Sequence, residues 1–223
     1  IYIFAKGDRY EGELKDGMKN GEGKYYYSNG NNYTGQWMND KKHGKGEYTY
    51  LLTGEKYFGD WERGLKHGKG TFTFSYGDYY EGNFEKGLKS GFGIIYFKSG
   101  AVFNGKWVND RASGECSLKY ANGDTFKGNY ENSKKQGFGY YQFKSGTVFQ
   151  GEFKDDKFDG AGKIRYKNSD QYEGQFVNGV KDGRGVYTYY NGDRYEGEWM
   201  DDKKSGNGRY KYNTSEDMYE GSW

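Results

Sequence analysis

Glycine recurs in this chain with a fixed period, and that period restricts the fold more than any other feature. An aromatic-x-Gly-x-aromatic unit places its glycine at Gly12, Gly35, Gly59, Gly82, Gly105, Gly128, Gly151, Gly174, Gly197 and Gly221, 23 or 24 residues apart throughout. Nine residues after each of the first nine comes another, at Gly21, Gly44, Gly68, Gly91, Gly114, Gly137, Gly160, Gly183 and Gly206. Glycine follows again two residues later, except at Cys116. A further glycine precedes most opening aromatics by three residues, as Gly30 precedes Tyr33, and is missing only at Ser169 and Glu216. Self-similarity at such a period marks an array of small units that bury their apolar faces on one another.

Within a unit the residues alternate. In Tyr195-Glu196-Gly197-Glu198-Trp199 and Gly183-Arg184-Gly185-Val186-Tyr187-Thr188-Tyr189, every second residue is aromatic or glycine and those between are mostly polar. Period two predicts strands with one apolar face. The remaining glycines, Gly17, Gly64, Gly87 and Gly179, share their repeat position with Asp40, Asp110, Asp156, Asp202 and Ser133. Glycine and aspartate exchange where the chain turns with positive φ, so each repeat reads as strand, turn, strand. The glycines lie on the face of the rings, where lack of a side chain lets a ring lie flat over the backbone and the sheet curl.

The predicted fold is all-β: an elongated, twisted, single-layer antiparallel β-meander of tandem 23-residue hairpins. About 20 strands at about 4.8 Å predict a ribbon roughly 90 Å long. Residues 1–223 form a single array in this reading: 1–9 are the second strand of a truncated repeat, 10–218 are nine repeats, and 219–223 open a tenth. Ile1 in place of Met and open edge strands at both ends point to a segment of a longer array, or to ends occupied by a partner.

Composition supports a folded chain. Net charge is +2, from 34 basic and 32 acidic residues, so self-repulsion does not expand the chain, and 26 Tyr, 15 Phe and 5 Trp supply apolar surface. The 39 glycines with no proline exclude collagen and polyproline. Apolar runs are too short for a membrane span. One cysteine excludes an internal disulfide framework, and no basic-then-apolar leader opens the chain, so a reducing cytosol is the expected setting and the sequons at Asn32 and Asn213 carry no role.

The residues Tyr195-Glu196-Gly197-Glu198-Trp199 with Lys204-Ser205-Gly206-Asn207-Gly208, and Trp61 through Lys66-His67-Gly68-Lys69-Gly70, resemble MORN (membrane occupation and recognition nexus) repeats across essentially the whole chain. The resemblance implies tandem β-hairpins, a non-catalytic repeat, and roles in cytoskeletal scaffolds, ciliary axonemes, membrane contacts or accessory regions of larger enzymes. Departures cluster at Cys116, at Ala112 in place of the loop lysine, at Ser169 and at Glu216, where local regularity is least expected.

No enzyme chemistry emerges. His43 and His67 occupy equivalent loop positions one repeat apart, roughly 10 Å if hairpins stack regularly, and read as consensus residues rather than a metal site. Cys116 reads as a packing substitution. Repeated carboxylates such as Glu11, Glu81, Glu173 and Glu196 face solvent with no distinguished pair, and the Gly-x-Gly units lack the lysine and helix of a phosphate loop. No metal, cofactor, nucleic acid or small-molecule substrate is expected.

Three candidate surfaces remain. The rings Tyr33, Trp37, Tyr57, Trp61, Tyr80, Phe84, Phe103, Trp107, Tyr195 and Trp199 are expected to line a groove able to cradle a partner segment. Lys19, Lys42, Lys66, Lys89, Lys135, Lys181 and Lys204 form a row along one edge that would contact anionic lipid, although the loops carrying them sum to only +4. On the opposite, polar face, Tyr79, Phe92, Ile94, Tyr96, Val102, Phe138, Tyr140 and Val148 interrupt the polar pattern, with Ile94, Tyr96 and Val102 as neighbours across one hairpin. Phe158, standing where other loops carry lysine, is a weaker member of that set. An exposed apolar patch marks an interaction site. The leading expectation is therefore a non-enzymatic scaffold holding protein partners, cytoskeletal or ciliary subunits, in the cytoplasm, cytoskeleton or cilium. Self-association, phospholipid binding and service as an enzyme's accessory domain are the alternatives.

Overall fold

The computed structural model describes all 223 residues and contains strands and turns with no helix. It divides into two compact units, Ile1–Arg111 and Ala112–Trp223. The first carries β1 (Tyr2–Ile3), β2 (Arg9–Lys15), β3 (Met18–Tyr26), β4 (Asn32–Met38), β5 (Lys41–Thr49), β6 (Lys56–Glu62), β7 (Leu65–Thr73), β8 (Tyr79–Glu85), β9 (Leu88–Tyr96) and β10 (Val102–Val108). The second carries β11 (Arg111–Lys119), β12 (Thr125–Glu131), β13 (Lys134–Gln142), β14 (Val148–Lys154), β15 (Lys157–Arg165), β16 (Gln171–Val177), β17 (Val180–Thr188), β18 (Arg194–Met200), β19 (Lys203–Lys211) and β20 (Met218–Ser222). Within each unit every strand pairs antiparallel with the next, the predicted meander.

The turns behave as the Gly/Asp exchange foretold. In Asp16-Gly17, Asn39-Asp40, Arg63-Gly64, Asp155-Asp156 and Asp201-Asp202, both central residues have positive φ. That is the two-residue hairpin turn whose twist matches the strands it joins. Neighbouring turns are stitched together: the Lys19 N–H donates to Asp40 Oδ1 at 3.0 Å, and the Asp40 N–H donates back to the Lys19 carbonyl at 3.1 Å.

The paired glycines explain the period. Gly174 lies directly across from Gly185, and the Tyr172 side chain covers both; a Cβ at Gly185 would sit 2.5 Å from the ring and one at Gly174 2.5 Å from its hydroxyl. The Tyr172 hydroxyl then donates to the Gln175 carbonyl at 3.0 Å, and Tyr10, Tyr33, Tyr57, Tyr80 and Tyr195 make the same bond to the residue three ahead. Beside each glycine pair the register shifts, because the second strand carries extra residues that bulge. Gln36 closes one such bulge by accepting the Lys45 N–H, and Asp60 closes the next by accepting the Lys69 N–H.

At the opposite turns an aspartate ties successive repeats. Asp170 accepts the Tyr187 hydroxyl at 2.7 Å and the Tyr190 N–H at 2.8 Å; Asp124 and Asp193 repeat the arrangement with Tyr141 and Lys144, and with Tyr210 and Asn213. These three are the buried acids of the chain. Burial opposes the charge on Asp170, but the bonds from Tyr187, Tyr190 and Asn168 outweigh it and hold the carboxyl below its ordinary value.

The expected irregularities are absorbed locally. Ser169 adopts φ 73 in the place of a glycine, and its N–H still closes the turn on the Tyr166 carbonyl at 3.0 Å. Cys116 pairs with Gly128 within the regular β11–β12 ladder, and burial pushes its thiol up to about 12, which keeps it protonated and unreactive.

Two outcomes test this account. Ser169→Gly relieves a left-handed conformation and is expected to stabilise the chain by roughly 0.5–1 kcal/mol in urea unfolding. Asp170→Asn is expected to cost about 1 kcal/mol at neutral pH, since it replaces charge-assisted hydrogen bonds by neutral ones. With the folded carboxyl depressed, its stabilisation is full above about pH 4 and lost as pH falls through the folded value. The difference between wild type and Asp170→Asn should therefore close towards pH 2 when urea midpoints are compared.

Candidate interaction face

Each unit has a ring face and an outer face. On the ring face the aromatic side chains pack edge to face in a zigzag: Tyr33 meets Trp37 at 5.1 Å and Trp61 at 5.3 Å, Tyr57 meets Trp61 at 5.1 Å and Phe84 at 5.0 Å, and Tyr80 meets Phe84 and Trp107. Trp37, Trp61, Trp107 and Trp199 donate their indole N–H to the carbonyls of Gly23, Gly46, Gly93 and Gly185. The expected groove rings, Tyr33, Trp37, Tyr57, Trp61, Tyr80, Phe84, Phe103, Trp107, Tyr195 and Trp199, are only 0 to 6% exposed. They are the core, and a partner cannot lie against them. A second tier including Tyr25, Tyr48 and Tyr187 covers the first, as Tyr25 and Tyr48 do against Trp37 and Trp61, which the open-groove reading did not foresee.

The loop lysines are spent on the same face. Each belongs to the strand position opposite an apolar ring-face residue, Trp37 for Lys42 and Leu14 for Lys19, so period two turns it inward. Lys42 Nζ lies 4.2 Å from the Trp61 ring centre and 4.4 Å from that of Tyr48; Lys66, Lys89, Lys135 and Lys204 likewise sit over rings. Lys19, Lys89, Lys135 and Lys181 are only 11 to 16% exposed and pair with Asp40, Asp110, Asp156 and Asp202 of the following turn. At Lys42 glycine stands in that position, as Gly64, and burial pushes the ammonium down to about 8. Burial also lowers Lys66 and Lys181. The row Lys19, Lys42, Lys66, Lys89, Lys135, Lys181 and Lys204 is therefore a set of lids on the aromatic core, not a lipid-facing stripe.

Phe158 follows the same rule. It stacks on Phe149 at 3.8 Å and meets Phe153 at 5.2 Å, so it occupies a lysine's place over the rings and does not belong to the outer patch. Ala112 is buried at the equivalent position.

The outer face carries the depressions. In the first unit Tyr79 and Tyr96 stack at 4.6 Å, Tyr96 pairs with Val102, and Ile94 pairs with Asn104 and Glu81, the neighbourhood expected from sequence. A hollow of about 490 Å³ over Gly59, Gly70, Gly82 and Gly93 is lined by Phe58, Phe92 and Ile94, with Lys45, Lys69, Glu81 and Asn83 around it. Phe92 is 69% and Phe58 56% exposed. Phe58 was not among the expected residues; its alternation with Tyr57 and Gly59 already assigned it to this face, hidden beside a second aromatic. In the second unit Phe138 and Tyr140 are exposed on β13, Val148 is half-buried opposite Gln142, and a separate hollow of about 750 Å³ is charged, with Arg184, Glu196, Glu198 and Arg209. His67 pairs with Glu62 at 3.3 Å. No three His, Cys, Asp or Glu side chains come together as metal ligands.

A family model described as MORN repeat matches residues 10–32, 33–50, 57–79, 80–102, 103–125, 126–148, 149–171, 172–194 and 195–215. No curated protein matches the sequence. Among solved structures, the wild-type TCP10 domain of Danio rerio CPAP is similar with a TM-score of 0.50 and 16% identity, over 92% of this chain and 99% of that one. The TCP domain of Drosophila melanogaster SAS-4 (dCPAP), solved with a proline-rich motif of Ana2 (dSTIL), scores 0.44 at 10% identity, over 70% and 85% of the two chains. At these identities the first likeness is one of fold.

The lids can be tested without any ligand. Lys181→Glu places a carboxylate against Asp202 and the Tyr172 and Trp199 rings. It is expected to cost more than about 2 kcal/mol in thermal unfolding, whereas Lys181→Met, which keeps the aliphatic stem, costs less.

Proposed function

The chain belongs to the MORN repeat family, and from that premise we propose that it is a non-catalytic interaction scaffold that holds protein partners in a cytoskeletal or ciliary assembly. The observation that carries the proposal is the apolar hollow on the outer face of the first unit, where exposed Phe58 and Phe92 and half-buried Ile94 line a depression bordered by Lys45, Lys69, Glu81 and Asn83. Exposed aromatics in a depression are the features around which protein contacts concentrate. Lys45 and Lys69 on one side and Glu81 on the other give the hollow a rim of both signs, which suits a polypeptide segment with an apolar edge and flanking charges. The cytoskeletal or ciliary setting rests on the family resemblance. Lipid binding loses its contact set, since the lysines it required cover the rings.

The mechanism is positional. Backbone ladders and rings fix each hairpin, so outer side chains present their contacts with little ordering cost on binding. The test compares the immobilised chain with a Phe92→Asp/Ile94→Asp variant in extracts of ciliated cells. At least a tenfold loss of a specifically captured protein is expected, with near-ultraviolet circular dichroism confirming that the variant remains folded. Equal capture of every protein by the folded variant would remove the hollow from the account. Pelleting with vesicles of phosphatidylserine and phosphoinositide at physiological salt would instead favour the lipid reading.

A further inference from the structure

Four loop lysines share one carboxylate arrangement. Asp40, Asp110, Asp156 and Asp202 each accept the backbone N–H of the lysine one hairpin earlier, Lys19, Lys89, Lys135 and Lys181, at 2.8 to 3.0 Å. The same Oδ1 stands 2.9 to 3.8 Å from that lysine's Nζ. One aspartate thus answers one N–H and one ammonium. Lys42 and Lys66 hold the same strand position in the first unit, but the residues that would supply their carboxylates are Gly64 and Gly87. A Cβ at either glycine would meet nothing within 4 Å, so the place is open. The backbone there is unchanged: the Gly64 and Gly87 N–H groups donate to the Lys42 and Lys66 carbonyls at 2.9 Å, as Asp40 donates to Lys19.

The residue before each glycine points the same way. Arg63-Gly64 and Lys86-Gly87 carry a cation where the aspartate turns carry Asn39, Asn109, Asp155 and Asp201. The other glycine turns, Asp16-Gly17 and Asn178-Gly179, carry none, and Gly179 follows Phe158, which brings no charge. Adjacent turns therefore hold Lys42, Arg63, Lys66 and Lys86 without the aspartates that balance their neighbours. The acids nearby are engaged: Glu62 with His67 at 3.3 Å, Glu85 with the Ser90 hydroxyl at 3.5 Å, and Asp110 with Lys89. We propose that Gly64 and Gly87 mark a receptor for two carboxylates of an acidic protein segment, each taken up by the N–H and ammonium of Lys42 or Lys66, with Arg63 and Lys86 beside them.

Spacing selects the form of that segment. Consecutive hairpins stand about 9.6 Å apart. In a polyproline II segment, acids three residues apart lie on one side and about 9.3 Å from each other, so both seat together. A β-strand offers same-side residues at about 6.8 Å or about 13.6 Å, and a helix offers them at about 10.5 Å over two turns. Both fit worse. An anionic membrane needs positive charge along the whole edge, whereas Asp40 and Asp110 flank these two turns on either side. This partner chemistry rests on the scaffold reading, yet the receptor shares no residue with the hollow.

Backbone amide resonances of the isotope-labelled full chain provide the test, at physiological salt, during titration with the peptide Gly-Pro-Glu-Pro-Pro-Glu-Pro-Gly and with its counterpart carrying Gln for Glu. The Lys42 and Lys66 amides are expected to shift saturably with the Glu peptide, and the Gln peptide to bind at least tenfold more weakly. Gly64→Asp/Gly87→Asp should abolish the response at both amides, because the chain then supplies its own carboxylates. Asp40 and Asp110 already adopt that turn, at φ 65 and 67, so the variant is expected to fold, with circular dichroism as the check. Amides unmoved by the Glu peptide up to about 5 mM, equal binding of the Gln peptide, or an unchanged response in the folded double variant overturns the proposal. Shifts with phosphatidylserine vesicles but not with the peptide overturn it in favour of a membrane. Phe58, Phe92 and Ile94 are untouched throughout, so capture by the hollow stands or falls separately.

Discussion

A tyrosine or phenylalanine ring laid flat over two facing glycines is the interaction on which the rest of this structure depends. A single-layer sheet has no second layer to bury its apolar face, so the rings must form a layer themselves. They can do so only where the backbone beneath them carries no Cβ. Gly174 and Gly185 under Tyr172 show the fit, with a hypothetical Cβ only 2.5 Å from the ring. Once that ring is down, its edges meet Phe176 of its own repeat at 5.2 Å and Trp199 of the next at 5.1 Å. Stability is therefore shared between neighbours, and no hairpin owns a core of its own.

That layer also decides where function can reside. Most of what the sequence places on the ring face is drawn into packing, including residues whose chemistry suggests other uses. Lysine over aromatic rings sets its ammonium against the ring faces while its stem covers apolar surface. At position 158 phenylalanine performs the same covering, stacked on Phe149. Apart from the residues that close the bulges, the outer face has no comparable obligations: its side chains contribute modest cross-strand pairs, such as Lys163 with Glu173 at 3.2 Å. Substitution there changes surface chemistry with little effect on the fold. The two units illustrate this, one hollow apolar around Phe58, Phe92 and Ile94 and the other charged around Arg184, Glu196 and Arg209.

Much of this was legible in the sequence because it depends on local rules. Period two assigned each residue to a face, the Gly/Asp exchange located turns of positive φ, and turn length set the register that joins Tyr96 to Val102. The depth of the ring face was not legible. Periodicity shows that Trp37 and Lys42 share a side, but not that a second tier of rings and the lysines themselves close over the first. Phe58 was obscured for a different reason: adjacent aromatics at 57 and 58 belong to opposite faces, and only the first is needed for the core. Ser169 looked like a defect, yet a single left-handed residue costs about 1–2 kcal/mol, which a ladder of aspartate and backbone hydrogen bonds readily tolerates.

Separation of the two faces has a consequence for how such an array can change. A binding surface in a globular domain is usually cut into the same layer that stabilises it, so altering contacts risks the core. Here the exposed outer side chains and the atoms that hold the hairpins lie on opposite sides of one backbone. Coupling between them runs through the bulge beside each glycine pair, where outer side chains such as Gln36 and Asp60 accept backbone N–H groups from the adjacent strand. Those bulge residues are the outer positions with a structural duty. Phe92, Ile94 and Phe58 lie on the same face without that duty, and they are the ones free to carry apolar groups that the fold does not require.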